Sequence, residues 1–327
     1  MGMRMGTGIA ISEPIPSITH KEIKDEIRKI KVKSSVIGAP RLQDVKQNRT
    51  TSDTMSKSKS TQSPLITKNN SAAAALSFNC AAPSLNTLQT LDISRNTGDF
   101  PSSISKLKNL TKIELFFKNF TSELPPGIAD LSLSQEIDIS SNQMHGTLPP
   151  SDWKSEEFGG FGAMLHLIAF SVYRNHIFEI FPANFGRFSP LDSIDISENQ
   201  FSGEFPRFLC GDRKLRLLLA LENNFSGEFP DSYAECNSLE RLRINKNHLS
   251  GKISDGVWAL PKVTMVDFGD NEFSGGISPM IAFSISLNQL VLKNNRFSSN
   301  FLSELGKLVN LEALLLNNNS FSGEFVF

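Results

Sequence analysis

From Asn175 to Asn319 one asparagine recurs every 24 residues, at 199, 223, 247, 271 and 295, each closing the same word, LxxLxLxxN. Chance does not hold one register through six consecutive steps, so the period outranks any local propensity. Asn96 and Asn142 stand in the same phase upstream, with Lys118 where a further asparagine is expected. A chain built this way stacks similar units that touch only their neighbours, and it escapes the size limit of a single globular core. Its 327 residues therefore say little about domain count.

Each unit explains itself physically. In residues 239–247, Leu242 and Ile244 point inward from a short strand while Arg241 and Arg243 point outward, because side chains alternate along a strand. The asparagine amide can pair with backbone where the strand turns, a structural role, so the asparagines are assigned no binding function. Phe201, Phe225, Phe273, Phe297 and Phe321 fall two residues after the asparagine and form a stacked aromatic spine. Gly203, Gly227, Gly251, Gly275 and Gly323 then allow a turn with positive φ, and Pro206 and Pro230 end the unit. His145 and His248 fall in that turn and are expected to be exposed. Parallel strands about 4.8 Å apart over ten repeats give a concave sheet roughly 43 Å long, matching an extended peptide of about 13 residues.

Residues 1–78 read differently. Up to Asn70 they carry 13 Lys and Arg against 6 Asp and Glu, so a basic tail precedes an acidic body. Ser, Thr and Gln dilute the charge and no aromatics interleave it, which favours a solvated disordered tail over a nucleic-acid-binding arm. Ile23, Ile27 and Ile30 at i, i+4, i+7 spacing suggest one short surface helix there. The first thirty residues hold no apolar run of seven, so as written the chain lacks a secretory signal and would stay in the cytoplasm. No stretch of eighteen apolar residues occurs.

The three cysteines, Cys80, Cys210 and Cys236, exclude a disulfide-dense scaffold and a zinc module. Cys210 and Cys236, 26 residues apart, lie near the same edge of adjacent repeats, where a disulfide or two free buried thiols are equally open. Asn109, Asn119, Asn224 and Asn318 head N-glycosylation sequons. No catalytic, metal or cofactor constellation is found. Asp267-Phe268-Gly269 spells a kinase metal-binding triplet, yet Phe268 sits at a core strand position, and no glycine-rich loop, lysine strand or catalytic loop accompanies it.

Several features depart from the period. The Asn142-to-Asn175 interval is 33 residues, read as two repeats missing about fifteen residues around 154–164, where the ladder should bulge or break. Gly98 follows Asn96 too soon, and Ser254, Ser278, Leu302 and Val326 stand where prolines are expected. No paired-cysteine cap precedes the first repeat, and the chain stops inside the tenth at residues 325–327.

The F-S-G-x-F-P form of the repeat resembles the ectodomains of plant leucine-rich-repeat receptor-like kinases. Leu91-Asp-Ile-Ser-Arg-Asn96, Tyr173-Arg-Asn175, Asn184-Phe-Gly-Arg-Phe-Ser-Pro-Leu191 and Ser303-Glu-Leu-Gly-Lys-Leu-Val-Asn-Leu311 are similar to the C-terminally encoded peptide receptors and their HAESA-type kin. The resemblance covers about three quarters of the chain. It implies an α/β repeat solenoid, a plant-type leucine-rich-repeat superhelix with a parallel concave sheet, spanning residues 79–327. It also implies a receptor kinase on the extracellular side of the plasma membrane that binds a small secreted peptide hormone on its inner face and recruits a co-receptor kinase. In related receptors an Arg-x-Arg pair holds the peptide's terminal carboxylate, and Arg241 and Arg243 occupy that phase. Two guanidinium groups two residues apart on one strand share a face, and a bidentate fork suits a carboxylate. Leu217 and Leu219 on the preceding strand would seat an apolar or proline-rich segment, or else be covered by long neighbours; Ser193 and Asp195 extend the candidate site. The competing readings are a soluble inhibitor or interaction protein resembling the polygalacturonase inhibitors, and a non-functional fragment of a receptor gene.

Overall fold

A computed structural model describes residues 85–95, 100, 102–117, 119–149, 164–300 and 303–323. The expected tail, its Ile23/Ile27/Ile30 patch, Cys80, Asn96, Gly98, Leu302 and residues 325–327 lie outside the described residues. Within them, ten three-residue strands pair in chain order into one parallel sheet, from Thr90–Asp92 to Ala313–Leu315. The middle residue of each strand from Leu91 to Leu290 is buried, and a second buried apolar residue follows two positions later, as Leu242 and Ile244 show. Stacking these two apolar columns removes them from water, which is the main force holding neighbouring repeats together.

The asparagines close the turn after each strand. The Asn247 amide donates to the carbonyls of Ala220 and Ile244, both at 3.0 Å, while its oxygen accepts from the amide of Phe225 at 3.1 Å. Asn199, Asn223 and Asn271 repeat the pattern, with oxygens accepting from Ile177, Phe201 and Leu249. The residue before each asparagine is left-handed, with φ between 51° and 58° from Arg95 to Asn318. None of these is glycine, so each turn carries about 1 kcal/mol or more of backbone strain that the amide bonds offset.

The segment after the asparagine is a strand where a turn was expected. His145–Gly146, His176–Ile180, Gln200–Glu204, Asn224–Glu228, His248–Lys252, Glu272–Gly275 and Arg296–Phe297 form a second, seven-stranded parallel sheet. His145 and His248 are exposed, but on strands of this sheet. The glycines keep positive φ inside it, 80° at Gly227 and 78° at Gly251. A Cβ at Gly251 would come 2.8 Å from the Glu228 side chain, so close packing as well as φ demands glycine. Phe201, Phe225, Phe273 and Phe297 are buried between the sheets, and Phe201 and Phe225 stack with centroids 6.1 Å apart. Short 3-10 turns such as Asp231–Glu235 and Pro279–Phe283 form the convex side.

Two departures from the period resolve differently from expectation. Glu136–Asp138 pairs directly with Ala169–Ser171, Ile137 opposite Phe170, so the inner ladder neither bulges nor breaks. The 33-residue interval is therefore one repeat carrying nine more residues than the standard 24. Ser254 and Ser278 adopt the extended backbone of Pro230, and the Ser278 hydroxyl accepts from the Met280 amide, capping the next turn. At Ser278 a cap thus replaces the fixed φ of proline, whereas Ser254 keeps the backbone conformation without a side-chain cap.

On the convex side Cys210 and Cys236 form a disulfide between adjacent repeats, Cα atoms 6.1 Å apart. Replacing both by serine opens a 26-residue loop, and urea unfolding should show a loss of about 3 kcal/mol. Asn247→Ala orphans the Phe225 amide and takes one of two donors from the Ala220 and Ile244 carbonyls, which keep Asn223 and Asn271, and should lose roughly 1–3 kcal/mol in the same assay, against less than about 0.5 for the exposed neighbour His248→Ala.

Candidate functional site on the concave sheet

Strand register places the outward residues in two rows across the inner sheet. Ser193, Leu217, Arg241 and Met265 align in one; Asp195, Leu219, Arg243 and Asp267 align in the other. The six residues expected at the site are therefore brought together on three adjacent strands. Their exposure is not what outward parity suggests. Leu217 and Leu219 are 3% and 2% exposed, and Ser193 and Asp195 are buried as well. The leucines belong to no inward core column, yet they offer no exposed apolar seat.

Arg241 and Arg243 are both half-buried. Arg243 is tied to a carboxylate of its own chain, its Nη2 lying 3.5 Å from Asp267 Oδ2, with side chains only 14% and 9% exposed. The Arg243 Nε is buried without a hydrogen-bond partner, and so is the Oδ1 of Asn245, two residues further along. A donor and an acceptor two residues apart, both withdrawn from water and unpaired, carry a desolvation penalty of roughly 1–3 kcal/mol each.

Carboxylates beside this pair resist ionisation. Burial pushes Asp195 up to about 6, against the lowering influence of the Ser197 amide, which donates to it at 3.1 Å, and of Arg243. Burial also raises Asp267 above the ordinary carboxylate range, opposed by Arg243, the Gly269 amide and Lys293. Phe268 is fully buried, so the Asp267-Phe268-Gly269 triplet is repeat structure.

One arrangement went unread in the sequence. Arg216 donates to both oxygens of Asp192, at 2.7 and 3.2 Å, and to Glu240 at 3.3 Å. Burial opposes its charge, but the two carboxylates outweigh that and raise its pKa. The signal was available: Asp192, Arg216 and Glu240 are spaced by 24 residues with alternating sign. This fork is filled from both sides, whereas Arg243 has one loose partner.

The four sequon asparagines are exposed: Asn109 on the convex side, Asn119 and Asn318 with positive φ, and Asn224 at the start of an outer strand. A groove of about 610 Å³ flanks the outer sheet, away from these rows, and is lined in part by Glu204, Arg207, Phe208, Glu228, Asp231 and Lys252. Among the described residues no group of three His, Cys, Asp or Glu could hold a metal, and no helix is long and apolar enough to cross a membrane.

No protein-family model matches the chain. It is 30% identical over 124 residues to "Receptor-like protein 32" of Arabidopsis thaliana, covering 38% of this chain and 13% of that protein. Its fold superposes on the Arabidopsis receptor kinase HAESA, solved in complex with the peptide hormone IDA and the co-receptor SERK1, with a TM-score of 0.63 and 34% identity. That match covers 74% of this chain and 44% of the other, so the chain spans under half the length of both relatives. A plant ice-binding protein shares the fold alone, at TM-score 0.58 and 23% identity over 73% of this chain and 74% of its own. Fold by itself does not select a function, so the concave rows must.

Above pH 6 the folded protein holds Asp195 ionised at a cost, because its pKa of about 6 lies above the unfolded value. Stability is therefore fullest below pH 4 for this group and falls as pH rises through 6. Asp195→Asn should stabilise the protein by about 3 kcal/mol at pH 7.5 and have no effect at pH 4, as read by urea titration at both pH values.

Proposed function

We propose that this leucine-rich-repeat region, of the kind found in plant receptor ectodomains, binds a small secreted peptide along its concave face, with the peptide's terminal carboxylate at Arg241 and Arg243. The observation that carries the reading is the Arg243–Asn245 stretch: a guanidinium on an inner strand with a buried, unpaired Nε and, two residues along the chain, a buried, unpaired amide oxygen. A carboxylate accepts from such a fork, and a peptide backbone N–H supplies the donor that Asn245 Oδ1 lacks. Ser193, Asp195, Leu217 and Leu219 form the floor beside them. The likeness to HAESA, whose structure holds a peptide hormone and a co-receptor, supports the same two partner classes for this chain and a place on the extracellular side of the plasma membrane. The Cys210–Cys236 disulfide and the exposed sequons agree with that compartment.

The reading is tested by calorimetric titration with peptides displaced from a secreted-peptide library by the purified protein. Arg241→Ala and Arg243→Ala, singly, should each weaken binding by about 10- to 100-fold, the range for losing a charge-assisted hydrogen bond. Amidation of the peptide's C-terminus should cost the wild type as much and the double variant nothing. Unchanged affinity in both variants removes the site.

A further inference from the structure

Arg243 faces a choice between two carboxylates. Its Nη2 reaches Asp267 Oδ2 at 3.5 Å, which is an ion-pair distance and too long for a tight, bidentate bond. Asp267 is held from elsewhere: its Oδ1 accepts from the Gly269 amide at 3.1 Å, and Asp267 is the last residue of an inner strand. Arg216 on the same sheet shows what a committed pair looks like, with two bonds to Asp192 and one to Glu240. The Arg243–Asp267 contact is looser than that, and it leaves Nε unsatisfied.

We propose that Asp267 is an internal competitor for Arg243: its carboxylate occupies the guanidinium when the groove is empty, and an anionic ligand gains affinity only by displacing it. This rests on the reading of Arg241 and Arg243 as a carboxylate receptor. Asp267 thereby sets selectivity. A neutral C-terminus, such as an amide, cannot compete for a guanidinium already neutralised, while a carboxylate arriving with a second acceptor for Nε can.

The competition weakens in acid. Burial raises both Asp267 and Asp195, the latter on the far side of Leu219 in the same row. The other charged groups acting on this centre are Lys293 on Asp267 and Asp138 on Asp195, with Arg241 on the same strand as Arg243. As pH falls, Asp195 takes up a proton near 6 and Asp267 takes one up above the ordinary carboxylate range, the positive charge of Arg243 is left less compensated, and a peptide carboxylate, ionised down to about pH 3.5, takes it.

Two measurements decide the matter on the purified protein. In the first, phenylglyoxal labelling at pH 7.5 is followed by peptide mapping, with Arg216 as internal control. Asp267→Asn keeps an acceptor for the Gly269 amide and should leave the melting temperature within a few degrees, while Arg243 labelling relative to Arg216 rises at least threefold. In the second, a pool of random 13-residue peptides is offered to immobilised protein as free acids and as C-terminal amides. Wild type should prefer the free acids about tenfold more at pH 5 than at pH 7.5, and Asp267→Asn should show the acidic preference already at pH 7.5. Unchanged Arg243 labelling, with free acids still preferred, overturns the competition and leaves the receptor reading standing. No free-acid preference in either protein at either pH overturns the receptor reading and the competition with it.

Discussion

The asparagine amide that closes each strand is the interaction on which the other features depend. Asn247 ties together backbone from two repeats: Ile244 just past its own inner strand, Ala220 just past the preceding one, and Phe225 in the preceding outer strand. One side chain thus fixes the spacing of neighbouring repeats and the register of the outer sheet against the inner. It also stabilises the left-handed residue before it, which would otherwise relax to a commoner conformation. Deleting one such amide disturbs its neighbours as well, because stability in a stacked array is a sum of unit and interface terms.

With geometry held by those amides and by the buried apolar columns, the outward positions of the inner strands are released from structural duty. They are where chemistry can vary without disturbing the fold. The described rows show three ways charge is handled there. Lys112 lies 3.0 Å from Glu114 and 3.6 Å from Glu136, a half-exposed network across two adjacent strands. Arg216 is sandwiched between two carboxylates. Arg243 is more buried than either and has the weakest partner. Removing charge from water without a matched counter-charge is expensive, so the third arrangement is the one that structural stability alone would not maintain.

Much of the fold was legible in the sequence, because a repeated pattern averages away the ambiguity of any single segment. The period gave the inner strands, and alternation gave inward Leu242 and outward Arg241 and Arg243. What escaped were features that depend on pairing rather than pattern. The outer strands read as turns, since Phe-Ser-Gly runs carry turn residues and only the neighbouring repeat supplies the ladder partner. The 33-residue interval read as a deletion, since length cannot say whether an extra segment sits inside the stack or outside it. At the site, parity correctly chose which side chains leave the core but could not show that Leu217 and Leu219 would be buried there. Asp267 reads as one member of the Asp267-Phe268-Gly269 triplet, although its outward position is fixed by the same alternation.

The order of charges along the second row bears on where a ligand's negative end would rest. Asp92, Glu114, Asp138 and Asp195 occupy successive strands on one side of Arg243, interrupted by Ser171 and Leu219, whereas Val291 and Leu315 lie beyond Asp267 on the other. An anion moved toward the first side meets like charges, and moved toward the second it is desolvated against aliphatic side chains, where the nearby Lys293 is already paired with Asp270. Both displacements are unfavourable, the first by repulsion and the second by lost hydration. Arg243 is therefore the position in that row where negative charge is best accommodated. The fold leaves that position half-occupied, with a carboxylate that burial has already made reluctant to ionise.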